Sequence, residues 1–151
     1  MPLLIDYKEG DRLIINGAVI ENIGSNTKIL VHNQAAILRG KEVLSDEESE
    51  TPAARTYYAL QCAYIFPDQT DEYLEKHNTF LSQYVAACPS ALPIAETIRK
   101  QTEKGALYKG LKEAQKLIHH ENDVLMSLRS QLEDIDENVP EPEALEPARE
   151  D

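Results

Sequence analysis

Residues 10–22 read Gly-Asp-Arg-Leu-Ile-Ile-Asn-Gly-Ala-Val-Ile-Glu-Asn, and this stretch predicts a β-hairpin. Asn16-Gly17 separates two short apolar runs. This dipeptide is the strongest short signal for a two-residue hairpin turn, because both positions tolerate a positive φ. Apolar runs alternate with turn residues on either side of the hairpin as well, which is typical of a β-rich unit. The expected strands cover residues 3–7, 12–15, 18–23, 27–31 and 35–38, and an Arg39-Gly40 turn leads into residues 41–44.

The β-rich segment ends at about Leu44, and its size limits how it can fold. A module this short lies below the roughly 60 residues that a single core needs for stability, so it requires further packing. The sequence offers two sources of that packing. One is the set of helices that follows, and the other is a second copy of the module.

Helical spacing of apolar residues begins after an acidic hexapeptide, Ser-Asp-Glu-Glu-Ser-Glu, at residues 45–50. Thr51 is placed to cap the first helix, and Pro52 suits its first turn. The expected helices run from Pro52 to about Phe66, from the capping residue Thr70 to Pro89, from about Leu92 to Lys104 with Gly105 as the C-terminal cap, and from Ala106 to about Leu132. From Glu133 onward, dense acid and proline predict disorder.

These elements predict an α+β protein: a small five-stranded antiparallel β module, about four helices and a disordered acidic tail. The expected divisions are the β module at 1–44, an acidic linker at 45–50, a helical region at 51–132 and the tail at 133–151.

The formal net charge of −12 argues at first against a nucleic-acid partner. However, residues 1–44 carry five basic and five acidic side chains, and residues 51–130 carry nine of each. The excess lies in four acids at 45–50 and in nine acids against Arg149 alone at 131–151. The body expected to fold is therefore neutral, and the charge argument against RNA becomes weak.

No group of residues predicts catalytic, metal or cofactor chemistry. Cys62 and Cys88 lack a neighbouring His or a helix-start position, the settings that activate a thiol, so small buried side chains are the better interpretation. His119 and His120 point about 100° apart on a helix and do not chelate one ion together. We therefore expect no enzymatic activity, no cofactor and no metal site.

The first residues, Met-Pro-Leu-Leu-Ile-Asp-Tyr-Lys, contain no basic region, and their apolar run is too short for a signal peptide. No apolar stretch approaches the roughly 18 residues that span a bilayer. We therefore expect a cytoplasmic location and no membrane partner.

One basic group stands out from the neutral β module. If the first and last strands are neighbours, Lys8 lies near Arg39 and Lys41, with Ile5 and Ile37 between them. Basic side chains can hold a phosphate backbone while apolar ones pack on bases. The alternative interpretation is ordinary surface Lys and Arg, which residue types alone favour.

The hairpin stretch at 10–22 resembles the FlbT family of flagellin regulators. The resemblance continues through residues 37–44, Ile-Leu-Arg-Gly-Lys-Glu-Val-Leu, and 51–55, Thr-Pro-Ala-Ala-Arg, and it covers residues 1 to about 125. It implies a role after transcription in flagellar assembly of α-proteobacteria, at the 5′ untranslated region of flagellin mRNA. It also implies a small partner, FlaF, that works in the opposite direction.

The β module is also similar to the CsrA family of translational regulators. In that family five strands from each of two chains interleave, and RNA lies along paired first and last strands. The similarity places Ile5 and Lys8 on the RNA-facing first strand and Arg39 at the main RNA-contacting arginine. Tyr7 stands where CsrA has a basic residue, and its ring can stack on a base.

The resemblance and the residues together give two hypotheses. The leading one is an RNA-associated post-transcriptional regulator of flagellin expression, expected to act as a repressor by affecting the translation or decay of flagellin mRNA. Its expected contact residues are Ile5, Tyr7, Lys8, Ile37, Arg39 and Lys41. The alternative is a protein–protein adaptor in flagellar assembly that binds flagellin or FlaF through the helical region. A homodimer through the β module is expected from the small size of the sheet.

Overall fold

A computed structural model describes residues 2–138 of the chain, and these form an α+β structure. The strands are β1 (Leu3–Tyr7), β2 (Arg12–Ile15), β3 (Ala18–Glu21), β4 (Thr27–Val31) and β5 (Ile37–Arg39). The helices are α1 (Pro52–Ile65), α2 (Thr70–Ala87), α3 (Leu92–Glu103) and α4 (Leu107–Asn138). The predicted fold class is confirmed: antiparallel strands occupy the first part of the chain, and helices follow.

The predicted hairpin turn is present between β2 and β3. Asn16 has φ 50° and Gly17 has φ 90°, the backbone that a tight two-residue turn requires. A Cβ on Gly17 would also lie only 2.8 Å from the ring of Phe66. Glycine at this position therefore satisfies both the turn and the close approach of the helical half of the chain.

Strand β3 ends at Glu21, two residues before the predicted end. The Asn22 side chain donates to the carbonyl oxygens of Tyr7 (2.8 Å) and Ser25 (3.0 Å), and it accepts from the Gly24 N–H (3.0 Å). These bonds give the backbone an alternative to the sheet ladder, so the chain turns away from β2.

Strand β5 begins later than predicted. It covers Ile37–Arg39 instead of residues 35–38, and residues 40–42, just after the predicted start of the turn at Arg39, form a 3-10 turn. Ahead of the strand, the Ala36 N–H donates to the Asn16 side chain at 2.8 Å. The carbonyl of Ala36 accepts from the Asn16 N–H at 2.9 Å. This segment therefore braces the hairpin turn before the strand itself starts.

The strands form two sheets, and the expected pairing of the first and last strands does not occur within the chain. β1 pairs with β4, and β5 pairs with β2 in a sheet ordered β3-β2-β5. β1 finds five partners along the whole of β4, from Leu3↔Val31 to Tyr7↔Thr27. The short β5 matches β2 from Leu13↔Arg39 to Ile15↔Ile37. The backbones of β1 and β5 therefore pair with other strands, although side chains of both strands pack in the same small core.

Neighbouring side chains on β2 and β5 point into two different cores, as the period of a strand requires. Leu13 and Ile37 pack with Ile5 and Tyr7 of β1. Ile14 and Leu38 pack with the helices, where buried side chains include Ala53, Tyr57, Leu60, Leu81, Ile98 and Leu111. Strands β2 and β5 are thus covered on both faces, whereas the side chains of β3 are exposed. Of the two sources of packing foreseen for the small β module, the helices supply one.

The ends of the first and third helices follow local sequence signals. The Thr51 hydroxyl accepts from the Ala54 N–H at 3.2 Å, and Pro52 opens α1 as predicted. Gly105, with φ 77°, follows α3, and the Ala106 N–H donates back to the Gln101 carbonyl at 2.9 Å. This is the C-terminal cap expected of glycine.

Thr70 does not cap α2, which corrects the expectation. It is the first residue of the helix, and its hydroxyl shares its one hydrogen between the carbonyl oxygens of Ala63 (2.9 Å) and Pro67 (3.1 Å). The hydroxyl therefore joins the end of α1 to the start of α2, because the carbonyls that α1 leaves unpaired at its end are nearer acceptors.

Helix α4 continues to Asn138, six residues beyond its predicted end. Residues 133–138 contain neither glycine nor proline, so each costs the helix only tenths of a kcal/mol, roughly, and the first breaker is Pro140. The first part of the predicted tail is therefore helical, and the rest lies outside the described residues. The proposed divisions at 44, 50 and 132 remain predictions. One compact unit ends at Ile118 and a second begins at His119.

His77 on α2 is fully buried. Its Nδ1 lies 2.9 Å from the Thr56 carbonyl oxygen, and its Nε2 has no hydrogen-bond partner among the described residues. Since a carbonyl only accepts, Nδ1 carries the hydrogen and the neutral ring leaves Nε2 unprotonated. Burial lowers the pKa of His77, against the smaller opposite effect of the Thr56 bond, and the charge of Arg99 lowers it further.

We expect the protein to lose stability as the pH falls below about 6.5, the ordinary histidine value. Below that pH, His77 binds a proton in the unfolded chain but not in the folded one. Its contribution to the free energy of unfolding is therefore complete above that pH and declines below it. Urea unfolding at about pH 7.5 and about pH 5.5 measures this as a loss of about 1 kcal/mol. His77→Gln should remove most of the loss, and the exposed-site control His119→Gln should keep it. Equal pH dependence in His77→Gln and wild type would contradict the assignment.

Candidate functional site

A cleft of about 580 Å³ lies beside β1, β2 and the 3-10 turn that follows β5. Four of its lining side chains are basic and three are acidic, and the apolar ones come from the strand core. The lining residues are Ile5, Asp6, Tyr7, Gly10, Asp11, Arg12, Leu13, Arg39, Gly40, Lys41, Glu42 and Lys112. The cleft therefore joins the first strand, the end of the last strand and the first turns of α4.

The structure brings together most of the six residues that the sequence singled out. Ile5, Tyr7, Arg39 and Lys41 line this cleft. Arg39 also lines an adjoining cavity of about 470 Å³ with Ile37. Lys8, just beyond the end of β1, lines neither of these two cavities. The position of Arg39 on the boundary between the two cavities makes it the common element of the site.

The six residues divide by burial into two groups. Lys8, Arg39 and Lys41 are exposed. Ile5, Tyr7 and Ile37 are only 1%, 7% and 9% exposed, because they form the strand core with Leu13. Ile5, Tyr7 and Ile37 therefore have a packing role, and a ligand in the cleft contacts mainly their edges. The three basic side chains are exposed and fully available to a ligand.

Most of the charged groups in the cleft are already paired. Arg12 binds Glu21 at 3.2 Å across the hairpin, and Lys112 binds Glu42 at 2.8 Å. Arg39 and Lys41 form no ion pair with any residue in the described range 2–138. They are the cleft cations whose charge is left for an external anion.

Tyr7 lines the same cleft, but its polar group is not exposed there. Its hydroxyl is buried and has no hydrogen-bond partner within residues 2–138. A buried hydroxyl without a partner costs free energy. The groups of the cleft that are open to an anionic ligand are therefore the two unpaired cations.

Glu42 holds the wall of the cleft in place, and no sequence pattern indicates this role. Its side chain accepts from Lys112 Nζ (2.8 Å), Tyr108 Oη (2.7 Å) and the Arg39 N–H (3.2 Å). Its backbone carbonyl accepts from the Tyr57 hydroxyl at 2.5 Å. Tyr108 lies 66 residues away along the chain, so no local pattern reveals the contact.

The electrostatics of this cluster keep it ionised. Burial by itself would raise the pKa of Glu42, but the hydrogen bonds from Lys112, Tyr108 and the Arg39 N–H outweigh it and hold the pKa below its usual range. The bond to Glu42 raises the pKa of Lys112. Burial raises the pKa of Tyr57 to about 12. At neutral pH, Glu42 is therefore ionised, Lys112 is protonated and the Tyr57 hydroxyl is neutral.

The other groups considered from the sequence lie away from this cleft. Cys62 is buried and Cys88 is half-buried, and both thiols are free. Burial raises the pKa of Cys62, which disfavours the reactive thiolate. No cluster of three or more His, Cys, Asp or Glu side chains within residues 2–138 is arranged to hold a metal ion.

A helix that crosses a bilayer must be both long and apolar. No helix in the described part of the chain combines the necessary length with sufficient apolar character.

Fold and site together define a small α+β protein whose strand module, braced by helices, carries a cleft with unpaired cations. A model of the family described as flagellar protein FlbT matches residues 3–125, and the chain belongs to this family. The likeness to the FlbT family inferred from the hairpin stretch is thereby confirmed.

Several relatives align over most of the chain. The "probable flagellum biosynthesis repressor protein FlbT 1" of Bradyrhizobium diazoefficiens is 35% identical over 137 residues, 88% of either chain. The "probable flagellum biosynthesis repressor protein FlbT" of Rhodopseudomonas palustris is 33% identical over 83% of this chain and 98% of its own. The "flagellum biosynthesis repressor protein FlbT" of Caulobacter vibrioides is 28% identical over 83% and 90%. No solved structure matches the chain, so the similarity to CsrA remains a prediction.

We expect Glu42→Gln to lower the free energy of unfolding by about 1–2 kcal/mol, because a neutral amide replaces the carboxylate that accepts from Lys112, Tyr108 and the Arg39 N–H. The wild-type protein should lose the same contribution as the pH falls below about 4.3, since the lowered pKa of Glu42 makes folding favour the ionised form. Urea unfolding measures both effects. The control Glu47→Gln, at an exposed site in the acidic linker, should change stability by less than about 0.5 kcal/mol. Equal effects of the two variants would contradict a bracing role for Glu42.

Proposed function

We propose that this protein represses flagellin expression after transcription by associating with the 5′ untranslated region of flagellin mRNA and altering its translation or decay. The names of the relatives support the regulatory part, because they are described as flagellum biosynthesis repressors. An mRNA target also fits the cytoplasmic location expected from the sequence. No covalent chemistry is required.

The composition of the cleft is the observation that supports RNA binding. Arg39 and Lys41 are exposed and form no ion pair within the described chain. Phosphate oxygens accept from arginine and lysine. One nucleotide backbone in the cleft would satisfy both cations.

The proposed contacts differ in kind between the two groups of residues. Arg39, Lys41 and Lys8 supply charge, whereas Ile5, Tyr7 and Ile37 shape the floor on which a base or ribose rests. Asp6 and Asp11 also line the cleft. These carboxylates repel phosphate, so the cleft admits a backbone near Arg39 and Lys41 and disfavours one near the β1–β2 turn. This arrangement predicts few phosphate contacts and modest intrinsic affinity.

Gel shifts with a flagellin leader RNA test the proposal. Arg39→Ala should weaken binding about tenfold or more, since a hydrogen bond to a charged group contributes roughly 1.5–3 kcal/mol. The slope of log affinity against log salt should also become shallower, by about 0.7 for each single-strand phosphate that the variant no longer neutralises.

Lys100→Ala is the matched control, because it removes the same charge from an exposed site on α3 outside the cleft. It should bind RNA as the wild type does. If Arg39→Ala and Lys100→Ala bind equally well, Arg39 is not an RNA contact. If the wild type shifts no leader RNA at all, the proposed function fails.

A second proposal concerns partners. The adaptor hypothesis, with flagellin or FlaF bound through the helical region, is favoured by large apolar side chains exposed on α4 between Leu125 and Ile135. A homodimer through the β module also remains a proposal, and sedimentation at micromolar concentration tests it. Ile14 and Leu38 already pack against the helices, so the second copy would cover other residues of the module.

A further inference from the structure

Strand β3 forms one edge of the sheet ordered β3-β2-β5, and no strand within residues 2–138 pairs with its outer side. In an antiparallel pair, alternate residues turn their N–H and C=O groups toward the neighbouring strand. Just after β3, the Asn22 N–H donates to the Asp11 carbonyl at 3.1 Å, on the β2 side. Val19 and Glu21 lie at odd separations from Asn22, so their backbone groups point outward. Such an edge is a template for one further strand.

The middle of this edge is apolar and exposed. Val19 is 67% exposed and Ile20 is 42% exposed, on opposite faces of the strand. Natural sheets usually protect an edge with charged side chains or proline. Residues 18–21, Ala-Val-Ile-Glu, contain no proline, and their one charge stands at the end of the strand. The backbone around Val19 and Ile20 is therefore open to pairing with another chain.

A groove of about 390 Å³ lies beside the same edge, between the hairpin and α1. We name it the β3 groove. Ile14 and Val19 line it from the sheet, and Tyr58, Ile65 and Phe66 line it from α1 and the residue that follows. Residues directly opposite on paired strands have their side chains on one face. A residue of an added strand that lies opposite Val19 would therefore place its side chain at the β3 groove.

The charges that line the β3 groove are not balanced. Arg12 is the one basic side chain among its lining residues, and it is already bound to Glu21 at 3.2 Å. Asp46 and Glu48 of the acidic linker also line the groove. Both are exposed, and neither forms an ion pair with any residue in the range 2–138. Two carboxylates at the groove are therefore left for an external cation.

A second copy of β3 would add to this excess of acid. Two antiparallel β3 strands would present their grooves on the same face of the joined sheet, each with its own Asp46 and Glu48. Because Arg12 is bound to Glu21 in each copy, neither copy brings a free cation. Like charges that meet across an interface disfavour the complex. The charge therefore favours a different chain that carries basic residues.

We infer that the outer edge of β3 and the β3 groove form the docking site for an extended basic segment of another protein. The segment adds a strand antiparallel to β3, and its backbone bonds to the outward groups of Val19 and Glu21. An apolar residue opposite Val19 packs in the groove. Basic residues on the same face of the added strand pair with Asp46 and Glu48.

This inference does not rest on RNA binding. None of the six residues proposed to contact RNA lines the β3 groove. The partner also differs in kind, because the groove leaves carboxylates unpaired whereas the cleft leaves cations unpaired.

Fluorescence anisotropy with the full-length protein tests the inference. The probe is a labelled peptide with the sequence Lys-Thr-Val-Thr repeated twice, which places Lys and Val on one face of an extended strand. Wild type should bind it, and no binding would overturn the inference. Val19→Lys should weaken binding at least tenfold, because an ammonium group replaces the apolar contact. The matched control Ala18→Lys adds the same charge on the opposite face of β3 and should weaken binding less than twofold. Circular dichroism checks that both variants stay folded.

Methylation of the peptide backbone tests the strand pairing itself. In the antiparallel arrangement the peptide residues opposite Val19 and Glu21 are Val and Lys, and their N–H groups point toward β3. N-methylation of the peptide valines should therefore weaken binding at least tenfold. N-methylation of the threonines, whose N–H groups point away, should weaken it less than threefold. An equal loss for the two peptides would refute an added strand.

Two double variants test the role of charge. Asp46→Asn with Glu48→Gln should weaken binding at least threefold, because the peptide lysines lose their partners. Glu47→Gln with Glu50→Gln removes the same charge from exposed positions of the same linker that do not line the groove, and it should bind nearly as the wild type does. If both double variants lose the same affinity, the attraction is non-specific and the basic character of the partner is refuted.

The second copy is the remaining outcome. If wild type sediments as a dimer that Val19→Lys, but not Ala18→Lys, converts to a monomer, the edge of β3 belongs to self-association and the inference is wrong. Failure of the peptide tests leaves the RNA proposal intact, since Val19→Lys should still shift leader RNA.

Discussion

A single carboxylate, Glu42, joins the strand module to the helices. It lies in the 3-10 turn after β5 and accepts hydrogen bonds from Tyr108 and Lys112 at the start of α4. Through its backbone carbonyl it is also bonded to Tyr57 of α1. Because the same carboxylate accepts from the Arg39 N–H, it sets the backbone from which the guanidinium projects. The geometry of the cleft thus depends on an ion pair with the start of α4.

The packing around this link explains how so small a β module is stable. The sheet β3-β2-β5 carries one core on each face, with Leu13 and Ile37 on one side and Ile14 and Leu38 on the other. The β1–β4 ribbon covers the first face and the helices cover the second. Ile5 and Tyr7 are therefore needed for packing, which ties the floor of the cleft to the stability of the module.

Local signals in the sequence predicted the parts of the fold that depend on local physics. The Asn16-Gly17 turn, the Thr51 cap and the Gly105 terminus all follow from backbone preferences of single residues. The predicted end of β3 is wrong, because the hydrogen bond from the Asn22 side chain to the Tyr7 carbonyl competes with the sheet. The two residues are 15 positions apart in the sequence, so no strand pattern indicates this contact.

The site was predictable only in part, for a related reason. Arg39 and Lys41 were identified and do lie in one cleft with Ile5 and Tyr7. The burial of Ile5, Tyr7 and Ile37 was not foreseen, since alternation shows that a strand has two faces but not which one is covered. Glu42, Tyr108 and Lys112 were missed altogether, because their contact joins residues 66 and more positions apart.

Ultraviolet crosslinking of the protein to a flagellin leader RNA, followed by mass spectrometry of the attached peptides, tests whether RNA lies in the cleft. RNA bound there should crosslink to Tyr7 and within residues 37–41. Crosslinks confined to α2, α3 or the acidic segments, with none in the β module, would contradict RNA binding in the cleft.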